Sequence, residues 1–226
     1  MLDGIRQEFF RFAPAYATEE AGAALDKILE LQSQGLIRNG LYYVVLADLA
    51  GSTAYQAEHG DVVAADRIQH FVLGAFNGLN EVHLTNLGVF IKELGDAVLL
   101  IFQCFVDVLR WHTAFAGWQA IYRSDKPEHQ IRFRTCVHVG DVILHGINPI
   151  SLAVSQLFKL EKSVPDGELV LTNPAYMAAW PTLARAYHAF DDVGTVELDG
   201  YPRPVALHRL RLEIGTAAAL ADERLD

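Results

Sequence analysis

Two hydrophobic periods alternate along this chain and predict a mixed α+β domain. In some stretches apolar residues recur at helical spacing, and in others they form short runs that are typical of buried strands. In chain order, the pattern predicts a strand at 42–47, a tight turn at 50–53 with a helix after it, a longer helix at 61–87, strands at 89–94 and 97–102, a helix at 105–124, and strands at 131–139 and 141–145. This order is that of the ferredoxin-like βαββαβ unit.

Further elements are predicted on both sides of this unit. A hydroxyl cap followed by acidic residues at Thr18-Glu19-Glu20, with Gly35 at the end, predicts a helix behind an aromatic-rich N-terminal arm. After the unit, the pattern predicts a helix at about 150–163, a strand at 168–172, a short helix at 173–180, and a hairpin that pairs 195–198 with 205–210. We therefore divide the chain into an N-terminal arm and helix at 1–40, a core domain at 41–212, and a C-terminal tail at 213–226.

Composition excludes several classes of function. The formal net charge is −10, which argues against binding to nucleic acid or to an anionic membrane surface, since both select basic faces. No apolar run approaches the length that spans a bilayer, and the N-terminus lacks the basic-then-apolar order of a signal peptide. The two cysteines, Cys104 and Cys136, lie in apolar text and are typical of buried thiols in a reducing compartment. We expect a cytoplasmic protein.

Two carboxylates lie at the ends of otherwise apolar strands. Asp48 ends the first strand, and Asp96 follows Gly95 in the turn between the second and third strands. A lone carboxylate costs too much free energy to bury unpaired, and a shared divalent cation would account for both. The alternative is a helix cap for Asp48 and an ordinary hairpin turn for Asp96. Their occurrence together favours a site for a metal ion and a nucleotide.

The turn after Asp48 adds groups that suit such a site. The Leu49 carbonyl offers a third oxygen ligand for a metal ion. Gly51, Ser52 and Thr53 open a helix, so their free N–H groups can bind phosphate. An ordinary cap and turn is the alternative for these three residues.

Five segments, in the right order, resemble the class III nucleotidyl cyclases, the family of adenylate and guanylate cyclase catalytic domains. The family's first metal segment is similar to YVVLADLAGSTAYQAEHGD, and its second metal hairpin is similar to GVFIKELGDAVLLIF. The central strand pair is similar to IRFRTCVHVGDVILHG, the helix with the transition-state residues to VSQLFKLEKSVPDGELVLT, and the closing hairpin to VGTVELDGYPRPVALHRL. The resemblance implies a class III catalytic domain with a C-terminal hairpin, to which the N-terminal helical arm is added.

The resemblance also implies an activity. In the family, the ribose 3′ oxygen attacks the α-phosphorus of a nucleoside triphosphate, and pyrophosphate leaves. Two divalent cations, Mn²⁺ or Mg²⁺, activate the hydroxyl and neutralise the leaving group. Asp48, Leu49 and Asp96 match the metal ligands, and Arg134 matches a phosphate-binding arginine. The alternative for Arg134 is a solvent-facing strand residue that alternates with Arg132.

Family sites lie between two protomers, so the resemblance implies a homodimer with shared active sites. Lys92 falls where adenylate-forming members keep a base-recognising lysine, and Asn148 falls near a second base-recognising position. Tyr55 follows the metal turn and is a candidate for lining the base or ribose pocket. Packing between helices is the alternative for Tyr55, and an exposed strand position is the alternative for Lys92.

Three positions depart from the family pattern. Ser155 replaces the ribose-orienting asparagine. Lys159 replaces the transition-state arginine, which keeps the charge but loses the bidentate fork; Lys162 is a rival for this role. Asp199 stands where many bacterial members keep a phosphate-binding lysine, and Arg203 lies close enough in sequence to substitute.

These departures leave three interpretations open: a cyclase with a remodelled base pocket, a purine cyclase of low activity, and a module that binds a nucleotide without turnover. The altered base pocket and free-standing architecture also resemble the bacterial pyrimidine cyclases of antiphage defence, the Pycsar type. Those enzymes make cyclic UMP or cyclic CMP, which activates a separate effector. We favour this interpretation, with UTP as the substrate.

Overall fold

The computed structural model describes residues 39–79, 88–93, 95–123, 126–145, 148–185 and 189–211. The predicted N-terminal helix and the tail at 213–226 lie outside these ranges, as do the last eight residues of the helix predicted at 61–87. The division of the chain at 40 and 212 therefore stays a prediction.

The predicted βαββαβ unit is present. Strand β1 (Gly40–Leu49) leads through helices α1 (Ser52–His59) and α2 (Asp61–Leu79) to the hairpin strands β2 (Gly88–Glu93) and β3 (Ala97–Phe102), and helix α3 (Phe105–Ala120) leads to strand β4 (Phe133–His145). These strands lie in the order β2-β3-β1-β4, and each neighbouring pair is antiparallel. The ferredoxin-like prediction is confirmed.

The rest of the described chain extends the same sheet. It comprises the short strand β5 (Asn148–Ile150), helix α4 (Leu152–Leu160), strand β6 (Leu169–Thr172), helix α5 (Asn173–Arg185), and the hairpin strands β7 (Ala189–Val196) and β8 (Val205–Arg211). Strand β6 adds to β4 in parallel, and β8 and β7 follow in antiparallel pairs. Strand β5 folds back on the end of β4. The C-terminal hairpin is thus part of the main sheet.

The sheet has helices on both faces, which explains its apolar strands. On one face, Phe71 of α2 and Phe115 of α3 pack edge to face, and Phe133 of β4 lies 4.7 Å from the Phe115 ring. On the other face, the buried positions of α4 are Ala153, Val154, Leu157 and Leu160. All six side chains of β3 are buried, as expected for a central strand covered on both sides. The strand ends are therefore the parts of the sheet that can reach solvent and a ligand.

The structure differs from the predicted elements at several points, including the unpredicted strand β5 just before α4, which starts at Leu152. Strand β4 runs through Gly140 without a break, and Gly140 fits there because a Cβ atom would lie only 2.7 Å from the Cβ of Ala153 in α4. Helix α5 continues past Pro181 to Arg185, held by the buried side chain of Leu183. The first hairpin strand begins at Ala189 and ends at Val196, earlier than the predicted 195–198. Hairpin pairing depends on register, which the local pattern does not fix.

None of the helices that the structure describes is long and apolar enough to cross a membrane.

Candidate functional site

Strand pairing brings the two predicted metal carboxylates to one end of the sheet. Asp48 is the penultimate residue of β1, and its pairing partner in β3 is Ala97, the residue after Asp96. The Leu49 N–H donates to the Asp96 carbonyl at 2.9 Å, which fixes the β2–β3 turn against the end of β1. The backbone of Leu49 therefore lies between the two acidic residues, as a bridging carbonyl ligand requires.

The turn after Asp48 also positions the carboxylate of Asp96. Gly51 adopts a left-handed conformation with φ 67°, which permits the sharp entry into α1. The next residue, Ser52, donates its hydroxyl to Oδ2 of Asp96. Thr53 is exposed at the same helix start. The sequence predicted a phosphate contact for the Ser52 N–H but did not predict that its side chain would position Asp96.

Arg134 lies directly across from Asp48 in the β1–β4 pair. Its Nε donates to Asp48 Oδ2 at 2.8 Å, and Asp48 is only 8% exposed. On its other side, Nη1 of Arg134 lies 3.9 Å from Oδ1 of Asp166. Arg134 therefore faces the carboxylates, and the solvent-facing alternative for this residue is wrong.

The electrostatics of this region are dominated by acidic groups. Burial raises the pKa of Asp48, and the hydrogen bond and charge of Arg134 offset this only in part, because Asp96 and Asp166 add like charges. Burial also raises the pKa of Glu161, and the charges of Asp48 and Asp96 raise it further. Burial lowers the pKa of Arg134, but its bond to Asp48 and the neighbouring acids outweigh this and raise it. Asp48, Asp166 and Glu161 thus act on Arg134, and Asp96 acts on Asp48 and Glu161, so negative charge is in surplus here.

The donor set fits a hard divalent cation. The carboxylates of Asp48 and Asp96 and the carbonyl of Leu49 are oxygen ligands of the kind that Mg²⁺ and Mn²⁺ prefer. Within the described residues, no three His, Cys, Asp or Glu side chains form a complete metal cluster. A cation here would therefore need backbone, water or phosphate oxygens beside the two carboxylates, as is usual for Mg²⁺ at phosphate sites.

The predicted transition-state residues lie on a separate, exposed surface. Ser155 and Lys159 are one helical turn apart on the solvent face of α4. Lys159 donates from Nζ to the carbonyl of Asp199 and lies 5.3 Å from the centre of the Tyr201 ring. It is therefore bound to the turn of the β7–β8 hairpin in its own chain, at the position where the family lysine was expected. Arg203, in the same turn, is exposed.

Lys162 is placed differently from Lys159. It follows α4 in a short 3₁₀ turn, Glu161–Ser163, and its charge acts on the carboxylate of Glu161. Lys162 therefore acts on an acid that itself interacts with Asp48 and Asp96, whereas Lys159 is bonded to the hairpin turn. The choice between Lys159 and Lys162 stays open.

Candidates for base recognition lie on two strands that approach each other. Lys92 pairs with Leu99 across the β2–β3 hairpin, Asn148 pairs with His145 in the β4–β5 hairpin, and β2 and β5 are neighbours. The side chains of both residues lie outside the described part of the structure. Lys92 is level with Leu99 and Asn148 with His145, and a base pocket shared by the two residues stays a prediction.

Tyr55 is placed by packing. It is 8% exposed, its hydroxyl lies 2.6 Å from Nδ1 of His129, and the guanidinium of Arg67 lies over its ring at 4.2 Å. These contacts fill the space around the ring and favour the alternative of helix packing over a role in a base or ribose pocket.

Sequence reasoning assigned no role to two acids that join this region. Glu161 lies within the segment that resembles the family's transition-state helix, and Asp166 lies in the turn Pro165-Asp166-Gly167. The Gly167 N–H donates to the Phe133 carbonyl at 2.8 Å, and the Thr135 N–H donates to the Glu168 carbonyl at 2.9 Å. These two bonds bracket Arg134 and bring Asp166 to it. The sequence Pro-Asp-Gly is typical of a turn, but nothing in it indicates that this turn packs beside Arg134.

Comparison with solved structures identifies the fold. The adenylyl cyclase CyaB from P. aeruginosa superposes with a TM-score of 0.63 at 16% identity, over 78% of this chain and 97% of that one. Adenylate cyclases from Trypanosoma brucei, solved in their monomeric state, give 0.63 at 16% identity over 76% and 89%. An adenylate/guanylate cyclase/hydrolase from Silicibacter pomeroyi gives 0.59 at 19% identity over 78% and 99%. No protein-family model matches the chain, and no curated protein matches it significantly.

The fold is therefore that of a class III adenylate or guanylate cyclase catalytic domain, as the sequence segments predicted. At identities of 16% to 19%, these likenesses show the fold alone.

Proposed function

We propose that this protein is a class III nucleotidyl cyclase that converts a nucleoside triphosphate, by preference UTP, into a 3′,5′-cyclic mononucleotide and pyrophosphate. The observation that supports this most is the convergence of Asp48, Asp96 and Arg134 at one end of the sheet of a cyclase fold. A fold kept only for packing has no need of two carboxylates and an arginine at that place, because burying Asp48 and partly burying Asp96 and Arg134 costs free energy.

In this proposal, Asp48, Asp96 and the Leu49 carbonyl hold two divalent cations, Mn²⁺ or Mg²⁺. Bound cations of this kind lower the pKa of an attacking hydroxyl and neutralise a leaving pyrophosphate. Ser52 keeps the Asp96 carboxylate oriented by its hydrogen bond. The N–H groups at Gly51, Ser52 and Thr53 and the guanidinium of Arg134 bind the triphosphate. The protein thus contributes mainly positioning and charge.

The second half of the site would come from a partner protomer. Ser155 and Lys159 point outward from α4, so a second copy can receive them at its carboxylates. In that homodimer, Ser155 would orient the ribose and Lys159 would stabilise the transition state, with Lys162 as the rival cation. A two-fold axis would give two equivalent sites.

The choice of base rests on Lys92 and Asn148. An asparagine both donates and accepts hydrogen bonds, as a pyrimidine edge requires, whereas an aspartate would only accept. The following Pro149 stiffens this short strand. We favour UTP, and by the resemblance to pyrimidine cyclases we place the enzyme in antiphage signalling in the cytoplasm, upstream of a separate effector of the cyclic nucleotide.

The test is incubation of the protein with each of the four nucleoside triphosphates and Mn²⁺ or Mg²⁺, with products identified by mass spectrometry. We expect cyclic UMP as the main product, with Mn²⁺ the better metal. Cyclic AMP with UTP untouched would make the protein an adenylate cyclase instead. Binding of a triphosphate without any cyclic product, with both metals, would favour a catalytically inactive nucleotide-binding module.

A further inference from the structure

Arg134 occupies one of the two carboxylate oxygens that Asp48 can offer to a cation. The 2.8 Å contact between Arg134 Nε and Asp48 Oδ2 is fixed by the strand pairing, since the two residues face each other across β1 and β4. The Arg134 side chain is 22% exposed and the Asp48 side chain 11%. Such a half-buried, charge-assisted hydrogen bond is stronger than a surface ion pair. A metal ion that binds at Oδ2 therefore has to displace the guanidinium.

A second acceptor lies ready on the far side of Arg134. Asp166 Oδ1 is 3.9 Å from Arg134 Nη1, just beyond hydrogen-bond length. Its turn is attached to both neighbours of Arg134 by the backbone bonds of Gly167 and Thr135. The Asp166 side chain is 51% exposed, so it has room to follow the guanidinium. A movement of the guanidinium away from Asp48 and toward Asp166 would exchange one carboxylate partner for the other.

From this geometry we infer that Arg134 is a cationic placeholder for the metal ion at Asp48, and that Asp166 is the positioning residue that receives Arg134 when the metal binds. This inference rests on the proposed function, because it takes Asp48 as a metal ligand. It goes beyond that function by giving Arg134 two effects of opposite sign. Arg134 opposes binding of the cation alone, and it favours binding of the triphosphate.

The experiment measures Mn²⁺ affinity of the nucleotide-free protein, by the electron paramagnetic resonance signal of free Mn²⁺. Arg134→Gln should tighten Mn²⁺ binding roughly tenfold, because the cation no longer competes with a charge-assisted hydrogen bond. In the same variant, triphosphate affinity should fall. Asp166→Asn should weaken Mn²⁺ binding by roughly threefold, since a neutral amide accepts the guanidinium less strongly than the Asp166 carboxylate and leaves Arg134 on Asp48.

The β7–β8 hairpin supplies matched controls. Arg211 and Asp191 form an ion pair of 2.6 Å there, on strands remote in the sheet from β1. Arg211→Gln and Asp191→Asn change the net charge by the same amounts as the test variants. Both should leave the Mn²⁺ affinity unchanged. An effect of Arg134→Gln no larger than that of Arg211→Gln would overturn the placeholder role.

The double variant Arg134→Gln/Asp166→Asn separates a positioning role from a simple charge effect. If Asp166 acts through Arg134, its substitution has no further effect on Mn²⁺ affinity in the Arg134→Gln background. An equal effect in both backgrounds would overturn the positioning role. Should Arg134→Gln fail to fold, the half-exposed Asp166→Asn still tests the inference by its sign, since unchanged or tighter Mn²⁺ binding contradicts it.

Asp48→Asn distinguishes failure of this inference from failure of the proposed function. If Asp48 is a metal ligand, Asp48→Asn loses most of the Mn²⁺ affinity whatever Arg134 does. Unchanged Mn²⁺ binding in Asp48→Asn would refute the metal site itself, and the placeholder role would fall with it.

Discussion

The end of the sheet that carries the acids and the solvent face of α4 are both parts of the candidate site, but they are built differently. At the sheet end, Asp48, Asp96 and Arg134 are fixed by strand pairing and bonded to other site residues. On α4, Ser155 and Lys159 are exposed, and Lys159 contacts only the hairpin turn among the polar partners described for it. In the proposed function, one chain therefore assembles the acidic half of the site and displays the other half outward.

This difference has a physical cause. Carboxylates that are held close together repel each other, so they need the rigid backbone of a sheet and a compensating cation. A lysine on a helix surface can stay solvated and needs no such support. The difference predicts that substitutions at the sheet end will act within one protomer, whereas those on α4 will act on its partner.

The largest effect should come from the sheet end. Asp48→Asn and Asp96→Asn should each lower turnover by roughly a thousandfold or more, because a lost bridging carboxylate removes several kcal/mol of charge stabilisation. Product formation by mass spectrometry measures the loss, and circular dichroism with denaturant unfolding shows whether the fold is kept. Asp191→Asn on the remote hairpin is the matched control. Turnover at the wild-type rate in either site variant would contradict the role of that residue as a metal ligand.

Mixing variants of the two regions tests whether they serve different protomers. Asp96→Ala and Lys159→Ala should each be inactive alone. After co-refolding or co-expression, heterodimers contain one intact site, so roughly a quarter of the wild-type activity should return if the protomers pair at random. The same mixture of Asp96→Ala with Asp48→Ala should stay inactive, because both residues belong to one protomer's half. No recovery in a verified Asp96→Ala/Lys159→Ala heterodimer would contradict the shared site.

The positions of Asp48 and Asp96 beside the ends of apolar strands could be predicted from the sequence alone. An acid that borders an apolar run is expected at a strand end or turn, since burying it unpaired within the strand costs free energy. Their order, and the segment with Arg134, then matched one family. The βαββαβ order followed from the two periods of the hydrophobic pattern.

Contacts that depend on tertiary approach were not predictable in this way. Lys159 meets the backbone of Asp199 forty positions away, and no local pattern marks that pair. The contact of Asp166 with Arg134 depends on how a turn docks on β4. For Tyr55, the sequence left two alternatives open: lining the base or ribose pocket, or packing between helices. Its contacts with His129 and Arg67 favour packing.

Two buried histidines near the acidic end of the sheet should make the free energy of unfolding decrease in acid. Burial lowers the pKa of His112 to about 4, and it lowers the pKa of His138 to about 4 as well. His112 packs against Phe133, and His138 lies on the same strand as Arg134. Between pH 6.5 and 4 the unfolded chain binds more protons at these groups, so their contribution to the free energy of unfolding decreases as pH falls. Each contributes on the order of 3 kcal/mol over that window.

Urea unfolding between pH 4.5 and 7 checks this in wild type and in His112→Phe. The variant removes one titrating group, so between pH 7 and 4.5 its free energy of unfolding should fall by roughly 2 kcal/mol less than that of the wild type. The raised pKa values of Asp48 and Glu161 act with the opposite sign and are common to both proteins. Parallel curves for the two proteins would show that His112 is not buried as a neutral ring.

The smallest effect should come from the contact between β4 and α4, because this contact sets the distance between the acidic end of the sheet and helix α4. Gly140 of β4 lies against Ala153 of α4, where a new Cβ would meet the Ala153 Cβ at 2.7 Å. Gly140→Ala should therefore lower the free energy of unfolding by roughly 1–3 kcal/mol through overpacking. Gly117→Ala in α3, where a Cβ meets nothing within 4 Å, should be stabilising by up to about 1 kcal/mol. Denaturant unfolding measures both.

Gly140→Ala also separates the two regions functionally, because relief of the clash moves α4 away from the sheet while the strand pairing of Asp48 and Asp96 stays intact. We therefore expect Mn²⁺ affinity without nucleotide to be unchanged and turnover to fall, since Ser155 and Lys159 move with α4. The compensating variant Gly140→Ala/Ala153→Gly removes the clashing methyl group and should recover turnover in part, at the cost of a glycine in the helix. Loss of Mn²⁺ affinity in Gly140→Ala would show instead that the sheet end depends on α4, and that the two regions form one unit.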